Sequence, residues 1–163
     1  MARVLIVGCG CRGRALASEL NARGHSVRGT TRHEERRADI ESAGAEAVVA
    51  DPDRLQTLTP HLEGVSVLVW PLGTATGDRR AVAGLHGPRL ESMVQTLVDT
   101  PVRGVVYEAA GTVDPSLLAS GAQVVRRVAA ANRVPAEIVD DAGHDGCHAW
   151  VAAMADAVDR VLS

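Results

Sequence analysis

The sequence predicts a doubly wound α/β domain, three layers deep, with a mostly parallel sheet of about six strands, and three observations predict it. Short continuous apolar runs alternate with longer amphipathic stretches, the pattern of strands buried on both faces and joined by helical crossovers. A glycine-rich turn stands between the first apolar run and the first amphipathic stretch. At 163 residues the chain has the length of one domain with one core, so residues 1–163 are expected to form a single unit.

The elements follow in order. Arg3-Val-Leu-Ile-Val7 is a strand, and a helix over 12–23 is closed by Gly24, a residue suited to a carboxy-terminal cap. A strand over 26–30 leads to a helix over 34–43, closed by Gly44 in the same way. After a strand over 47–50, a helix is expected over 53–62, although Pro60 would interrupt it. The strand over 66–70 opens a connection from Pro71 to Gly87, longer than a routine strand-to-helix loop and placed where open parallel sheets bind ligands. Helices over 88–99 and 115–132, each opened by a proline, flank a strand over 104–107. A strand over 136–139 and a helix over 147–162 complete the pattern.

Composition excludes several classes of function. A net charge of −3 gives no attraction to nucleic acid or to anionic lipid. No apolar run approaches the roughly 20 residues needed to cross a bilayer, and the amino terminus shows no secretory pattern, so a cytoplasmic location and no membrane partner are expected. The three cysteines are an odd number, and Cys9 and Cys11 share one tight turn, which argues for reduced thiols. Every one of the 17 basic residues is arginine. Without lysine the chain can form no Schiff base and can place no ammonium beside a catalytic tyrosine.

The chemistry concentrates in the first turn. Gly8, Gly10 and Gly13 have the spacing G-x-G-x-x-G, following a strand and opening a helix, which is the context a dinucleotide-binding turn requires. Gly8 permits the turn, Gly10 lets backbone approach a pyrophosphate, and Gly13 lets helix and strand pack closely. The helix start, at Cys11 and Arg12, offers amide donors and partial positive charge to phosphates, and Arg12 adds a full charge. A carboxylate at the end of the second strand would select NAD by its ribose hydroxyl. Here Val27-Arg-Gly-Thr-Thr-Arg-His33 stands instead, so Thr31 and Arg32 are expected to hold the 2′-phosphate of NADP, while alternation turns Arg28 elsewhere. NADP is thus expected over NAD. Two roles compete for Asp51, contact with the adenine amino group and capping of the next helix. Pro71, Leu72 and Gly73 are expected beside the nicotinamide-side ribose and the pyrophosphate.

Other candidates lie further on. Glu108 is the best local general base and Tyr107 a candidate acid, both expected to face the crevice from the end of the fifth strand. His144, Cys147 and His148 fall within five residues; zinc ligation, an acid-base role beside the crevice and a structural role all remain open, and no metal site is assigned. Cys9 and Cys11 gain reactivity from a helix start, or are simply small enough for the turn. In the last helix Val151, Met154, Val158 and Val161 form an apolar stripe, first of all a core face, with an edge that can support a homodimer.

Gly8-Cys-Gly-Cys-Arg-Gly13, Arg23-Gly-His-Ser-Val27, Thr30-Thr-Arg32, Ala43-Gly-Ala-Glu-Ala-Val-Val-Ala-Asp51 and Gly104-Val-Val-Tyr107 resemble the opening of the extended and atypical short-chain dehydrogenase/reductases. These include the NAD-dependent epimerase/dehydratase and NmrA-like groups. The resemblance spans most of the first 110 residues and implies a Rossmann fold and an NAD(P) cofactor. Those proteins usually carry a Tyr-x-x-x-Lys pair; here Tyr107 is followed by Glu-Ala-Ala-Gly, so that pair does not carry over. Their carboxy-terminal substrate region has no counterpart, and the chain is expected to be reduced to the cofactor domain. The function expected is that of an NADP(H)-binding Rossmann protein, a small reductase or epimerase-like oxidoreductase acting on an unidentified small molecule through the 71–87 segment. The alternative is a non-catalytic dinucleotide sensor or interaction module.

Overall fold

The computed structural model describes residues 2–140 and 146–163. Among these, six strands, β1 (Arg3–Ile6), β2 (Ser26–Thr31), β3 (Glu46–Val49), β4 (Val67–Trp70), β5 (Gly104–Glu108) and β6 (Ala136–Val139), form one sheet. All pairs are parallel, and the spatial order is β3-β2-β1-β4-β5-β6. The chain walks outward from β1 to β3, crosses back to lay β4 beside β1, and walks the other way. That reversal parts the connections above β1 and β4, which opens a crevice at their carboxyl ends.

Helices α1 (Cys11–Ala22), α2 (Arg37–Ser42), α3 (Arg79–Leu85), α4 (Pro88–Thr96), α5 (Pro115–Ala131) and α6 (Cys147–Leu162) supply the outer layers. Alternation along the strands splits the core between two faces. Val4, Ile6, Val67, Val69 and Val106 meet Leu16 and Leu20 of α1 and Met154 and Val158 of α6. On the other face Leu5, Leu68, Trp70 and Tyr107 meet Leu90 and Val94 of α4 and Val125 of α5. Burial of each such side chain contributes roughly 1.5–3 kcal/mol. The α6 stripe is spent inward, with Met154, Val158 and Val161 buried and Val151 only partly so.

Two expected segments differ. Residues 53–62 form no α-helix; two 3-10 turns, Leu55–Thr57 and Thr59–Leu62, take its place, because Pro60 cannot donate the hydrogen bond that a continuous helix needs. They still bury Leu58 and Leu62. The connection from Pro71 to Gly87 contains α3, nucleated by Asp78, whose carboxylate accepts from the Arg80 N–H at 3.2 Å, and held down by Val82 and Leu85. No described helix is long and apolar enough to cross a membrane.

Candidate functional site

The glycine turn joins β1 to α1 across the mouth of the crevice. Gly8 has φ +78°, the left-handed region where a side chain is disfavoured, and its N–H donates to Thr30 Oγ1 at 2.8 Å. The Cys9 N–H donates to the Thr30 carbonyl at 2.7 Å, so buried Thr30 ties the turn to β2. Cys9 points inward: a Cβ on Gly13 would lie 3.3 Å from its sulfur, and one on Gly29 only 2.8 Å. Burial pushes the Cys9 thiol up to about 12.

Gly10 behaves differently. Its φ is −81°, open to any residue, and a Cβ built on it would meet nothing within 4 Å. Nothing in the protein's own packing demands glycine here; the empty space lies toward the crevice. No side chain caps α1, and no acidic residue stands in its first turn, so the amides at the helix start keep donors for an incoming anion. This cradle fits a pyrophosphate.

Two hollows lie astride the turn. The larger, about 660 Å³, runs toward β2 and β3 and is lined in part by Thr31, Arg32, Arg36, Arg14 and Asp53. The smaller, about 270 Å³, lies toward α6 and is lined by Gly8, Gly10, Cys11, Arg12, Gly13, Pro71, Thr74 and Trp150. Thr31 Oγ1 accepts from the His33 N–H at 3.1 Å, and Arg32 is exposed. Arg14 and Arg32 form no ion pair among the described residues, and Arg36 has only a 3.9 Å approach to Asp39. Arg28 is buried in β2, donating to Glu46, to the His61 carbonyl and to the Glu63 carbonyl. Asp51 turns into its own loop, where Oδ1 accepts from the Asp53 N–H at 2.9 Å. The adjacent wall of the larger hollow is Ala50, Pro52 and Asp53. Asp53 Oδ1 is buried with no hydrogen-bond partner, 3.5 Å from Arg89 Nε.

The end of β5 corrects two expectations. Tyr107 and Glu108 do not both face the crevice, because neighbouring residues of a strand point to opposite faces. Tyr107 is fully buried among α4 and α5, and its hydroxyl donates to His86 Nδ1 at 2.6 Å. The pairing is fixed by the other ring nitrogen: Nε2 lies 2.9 Å from the Leu72 carbonyl, which only accepts, so Nε2 carries the proton and Nδ1 receives one. Burial, reinforced by the Glu108 charge, raises the Tyr107 pKa, and burial lowers that of His86.

Glu108 is also fully buried, and every lone-pair direction is taken. Oε2 accepts from Arg12 Nη1 at 2.9 Å and from Trp150 Nε1; Oε1 accepts from the Gly73 N–H at 2.7 Å and Arg12 Nη2 at 3.2 Å. Neither Tyr107 nor Glu108 stands ready to exchange a proton with a molecule in the crevice. Arg12, expected to face phosphate, spends its guanidinium on Glu108, on Thr74 Oγ1 at 2.9 Å and on the Trp150 ring, 4.3 Å from its centroid. Pro71 and Leu72 line the larger hollow, whereas Gly73 is turned inward to Glu108.

Cys147 and His148 are exposed at the start of α6, and His144 lies outside the described residues. Among the described residues no group of three His, Cys, Asp or Glu side chains is placed to hold a metal. Sequence reasoning missed Arg14, Arg36, Asp53, His86, Thr74 and Trp150. Arg14, Arg36, Asp53, Thr74 and Trp150 each lie within four residues of a position singled out there, and His86 lies in the 71–87 segment; what sequence does not report is where their side chains point.

Comparison with known proteins matches this geometry. A family profile described as NAD(P)H-binding matches residues 8–147. The chain resembles the crystal structure of the Citrobacter sp. triphenylmethane reductase complexed with NADP(H), with 17% identity, TM-score 0.65, and coverage of 86% of this chain and 50% of that one. It resembles a short-chain dehydrogenase from Streptomyces avermitilis with 22% identity, TM-score 0.63, and coverage of 84% and 63%. The UDP-glucuronic acid 4-epimerase from Bacillus cereus in complex with NAD has 12% identity, TM-score 0.66, and coverage of 85% and 55%. The chain thus spans between half and under two thirds of the length of these proteins. A search of curated proteins finds no match. Glycine turn, open helix start and sequence profile agree that this chain belongs to the NAD(P)H-binding family and has the Rossmann fold that takes a nicotinamide dinucleotide as cofactor.

Proposed function

We propose that the protein binds NADP(H) rather than NAD(H) and presents it as a small reductase. The observation that carries this reading is the set of three arginines, Arg14, Arg32 and Arg36, that line the larger hollow beside Asp53 and Asp78 and, among the described residues, form no ion pair closer than the 3.9 Å approach of Arg36 to Asp39. A 2′-phosphate matches them in charge, and bidentate guanidinium contacts favour phosphate over a ribose hydroxyl. The amides of Cys11, Arg12 and Gly13 would hold the pyrophosphate over Gly10. Asp53 Oδ1, which pairs with Arg89 at 3.5 Å but accepts no hydrogen bond, would accept from the adenine amino group in place of the expected Asp51. When bound, the dinucleotide supplies a hydride donor or acceptor; the chain's own residues hold its phosphates and shield its inner face.

A second reading, a non-catalytic NADP(H)-binding module, is favoured by one observation: Tyr107 and Glu108 are buried and fully partnered. Fluorescence titration with NADPH and NADH tests the cofactor, with NADPH expected to bind about tenfold tighter or more; equal affinity overturns the NADP assignment. A screen of small carbonyl compounds for NADPH oxidation then separates the readings, since binding without turnover favours the module. Self-association through the partly exposed Val151 and Leu162 belongs to the same proposal and is read by light scattering, where a monomer at all concentrations discards it.

A further inference from the structure

The smaller hollow and its floor suggest more than cofactor binding. It shares Gly8, Gly10, Cys11, Pro71 and Thr74 with the larger one, so the two are continuous across the glycine turn. A dinucleotide whose phosphates rest on the start of α1 has its two nucleosides on opposite sides of that turn. The arginine-lined hollow suits the adenosine half with its 2′-phosphate, which leaves the smaller hollow for the half that carries the nicotinamide ring.

Among the described residues, the only charged side chain lining that hollow is Arg12. Its guanidinium carbon lies over the Trp150 ring, 4.3 Å from the centroid, and its side chain keeps 28% exposure, while the paired Glu108 carboxylate has none. The anion therefore sits behind the cation, sealed off by Gly73 and Trp150, and the face offered to an occupant is positive. The oxidised nicotinamide ring carries a positive charge, whereas the reduced ring is neutral and rich in electrons. Two cations in near contact at a partly shielded site repel, while a flat guanidinium attracts the face of a neutral π-system.

We propose that Arg12, held by Glu108 and Trp150, makes this protein select the reduced dinucleotide, NADPH, over NADP+. This rests on the dinucleotide reading above. The selection favours entry of the reduced cofactor and release of the oxidised one, so the site is biased toward reductions, or toward sensing NADPH where no substrate is turned over.

Calorimetry with four ligands tests it: NADPH, NADP+, the nicotinic acid analogue of NADP+, in which a carboxylate replaces the carboxamide of the ring, and 2′-phospho-ADP-ribose, which has no nicotinamide ring. NADPH is expected to bind about tenfold tighter or more than NADP+. The nicotinic acid analogue is expected to bind several-fold tighter than NADP+, because its carboxylate meets Arg12. The double variant Arg12→Met, Glu108→Gln removes both charges and keeps one side-chain oxygen to accept from Gly73 or Trp150. It is expected to bring the NADPH to NADP+ ratio within about threefold. Equal wild-type affinities for NADPH and NADP+, or a ratio that persists in a folded double variant, overturn the proposal. Should that variant fail to fold, the wild-type analogue comparison decides, and no gain over NADP+ overturns it. Failure of all four ligands to bind sinks the dinucleotide reading itself, whereas binding of 2′-phospho-ADP-ribose with equal NADPH and NADP+ sinks only the selection.

Discussion

On the β2 side of the glycine turn Arg14, Arg32 and Arg36 stand in or near solvent with almost nothing to pair with, whereas on the β5 side every polar atom of Glu108, Tyr107 and His86 is matched inside the protein. Both sides sit at the carboxyl ends of the same parallel sheet, and both carry the residue types that chemistry uses. Partnering separates them. A donor left open beside a hollow costs the fold little and is free for a ligand, while a buried carboxylate with four donors serves the fold. The unmatched side therefore keeps its donors open to a ligand, and the matched side is scaffold that aims Arg12.

The sharpest way to break this contrast is at Gly10. Because a Cβ there meets nothing, Gly10→Val is expected to leave the melting temperature within a few degrees of wild type while weakening dinucleotide binding about a hundredfold or more. Retained affinity in calorimetry would remove the pyrophosphate cradle. On the scaffold side Glu108→Ala strands a half-buried guanidinium and the N–H groups of Gly73 and Trp150. A loss of about 2–4 kcal/mol in urea unfolding is expected, and a loss under 1 kcal/mol would show that the network holds little.

Smaller effects sharpen the same comparison. Arg32→Ala is expected to weaken NADPH about tenfold and to leave NADH unchanged, since it removes one charge from the 2′-phosphate side and touches no structural partner; equal losses for both cofactors would place Arg32 elsewhere. His86, whose pKa burial lowers, gives the gentlest effect. The unfolded chain takes up a proton near the ordinary value of 6.5 and the folded one only at lower pH, so its contribution is complete above about 6.5 and declines as pH falls below it. Urea unfolding from pH 7.5 to 5.5 is expected to show wild type losing more stability than His86→Asn, by at most about 1.4 kcal/mol over that window. Parallel pH profiles would mean the ring titrates alike in both states.

The glycine turn was legible because its signal is local: three glycines, a strand before and a helix after, all between Arg3 and Ala22. The same holds for β4, whose apolar run Val67-Leu-Val-Trp70 is uninterrupted. The Glu108 network was not legible, since Arg12 lies 96 residues from Glu108 and Trp150 lies 42, and no periodicity reports a meeting that only folding brings about. Tyr107 was misread for a different reason. Strand alternation was applied to Arg28 but not to the Tyr107-Glu108 pair, where it already forbids both from facing one crevice. Helix α3 escaped notice because seven residues following Gly77 resemble a loop until Asp78 is recognised as a cap.

The two thiols of the glycine turn differ in a way that a chemist can exploit. Cys9 is wedged between Gly13 and Gly29 and holds its proton up to about pH 12, so at pH 8 roughly one molecule in ten thousand offers it as a nucleophile. Cys11 is exposed and borders both hollows. An alkylating reagent therefore has one address in the turn, and a fluorophore attached there stands at the junction through which any occupant of the crevice must pass.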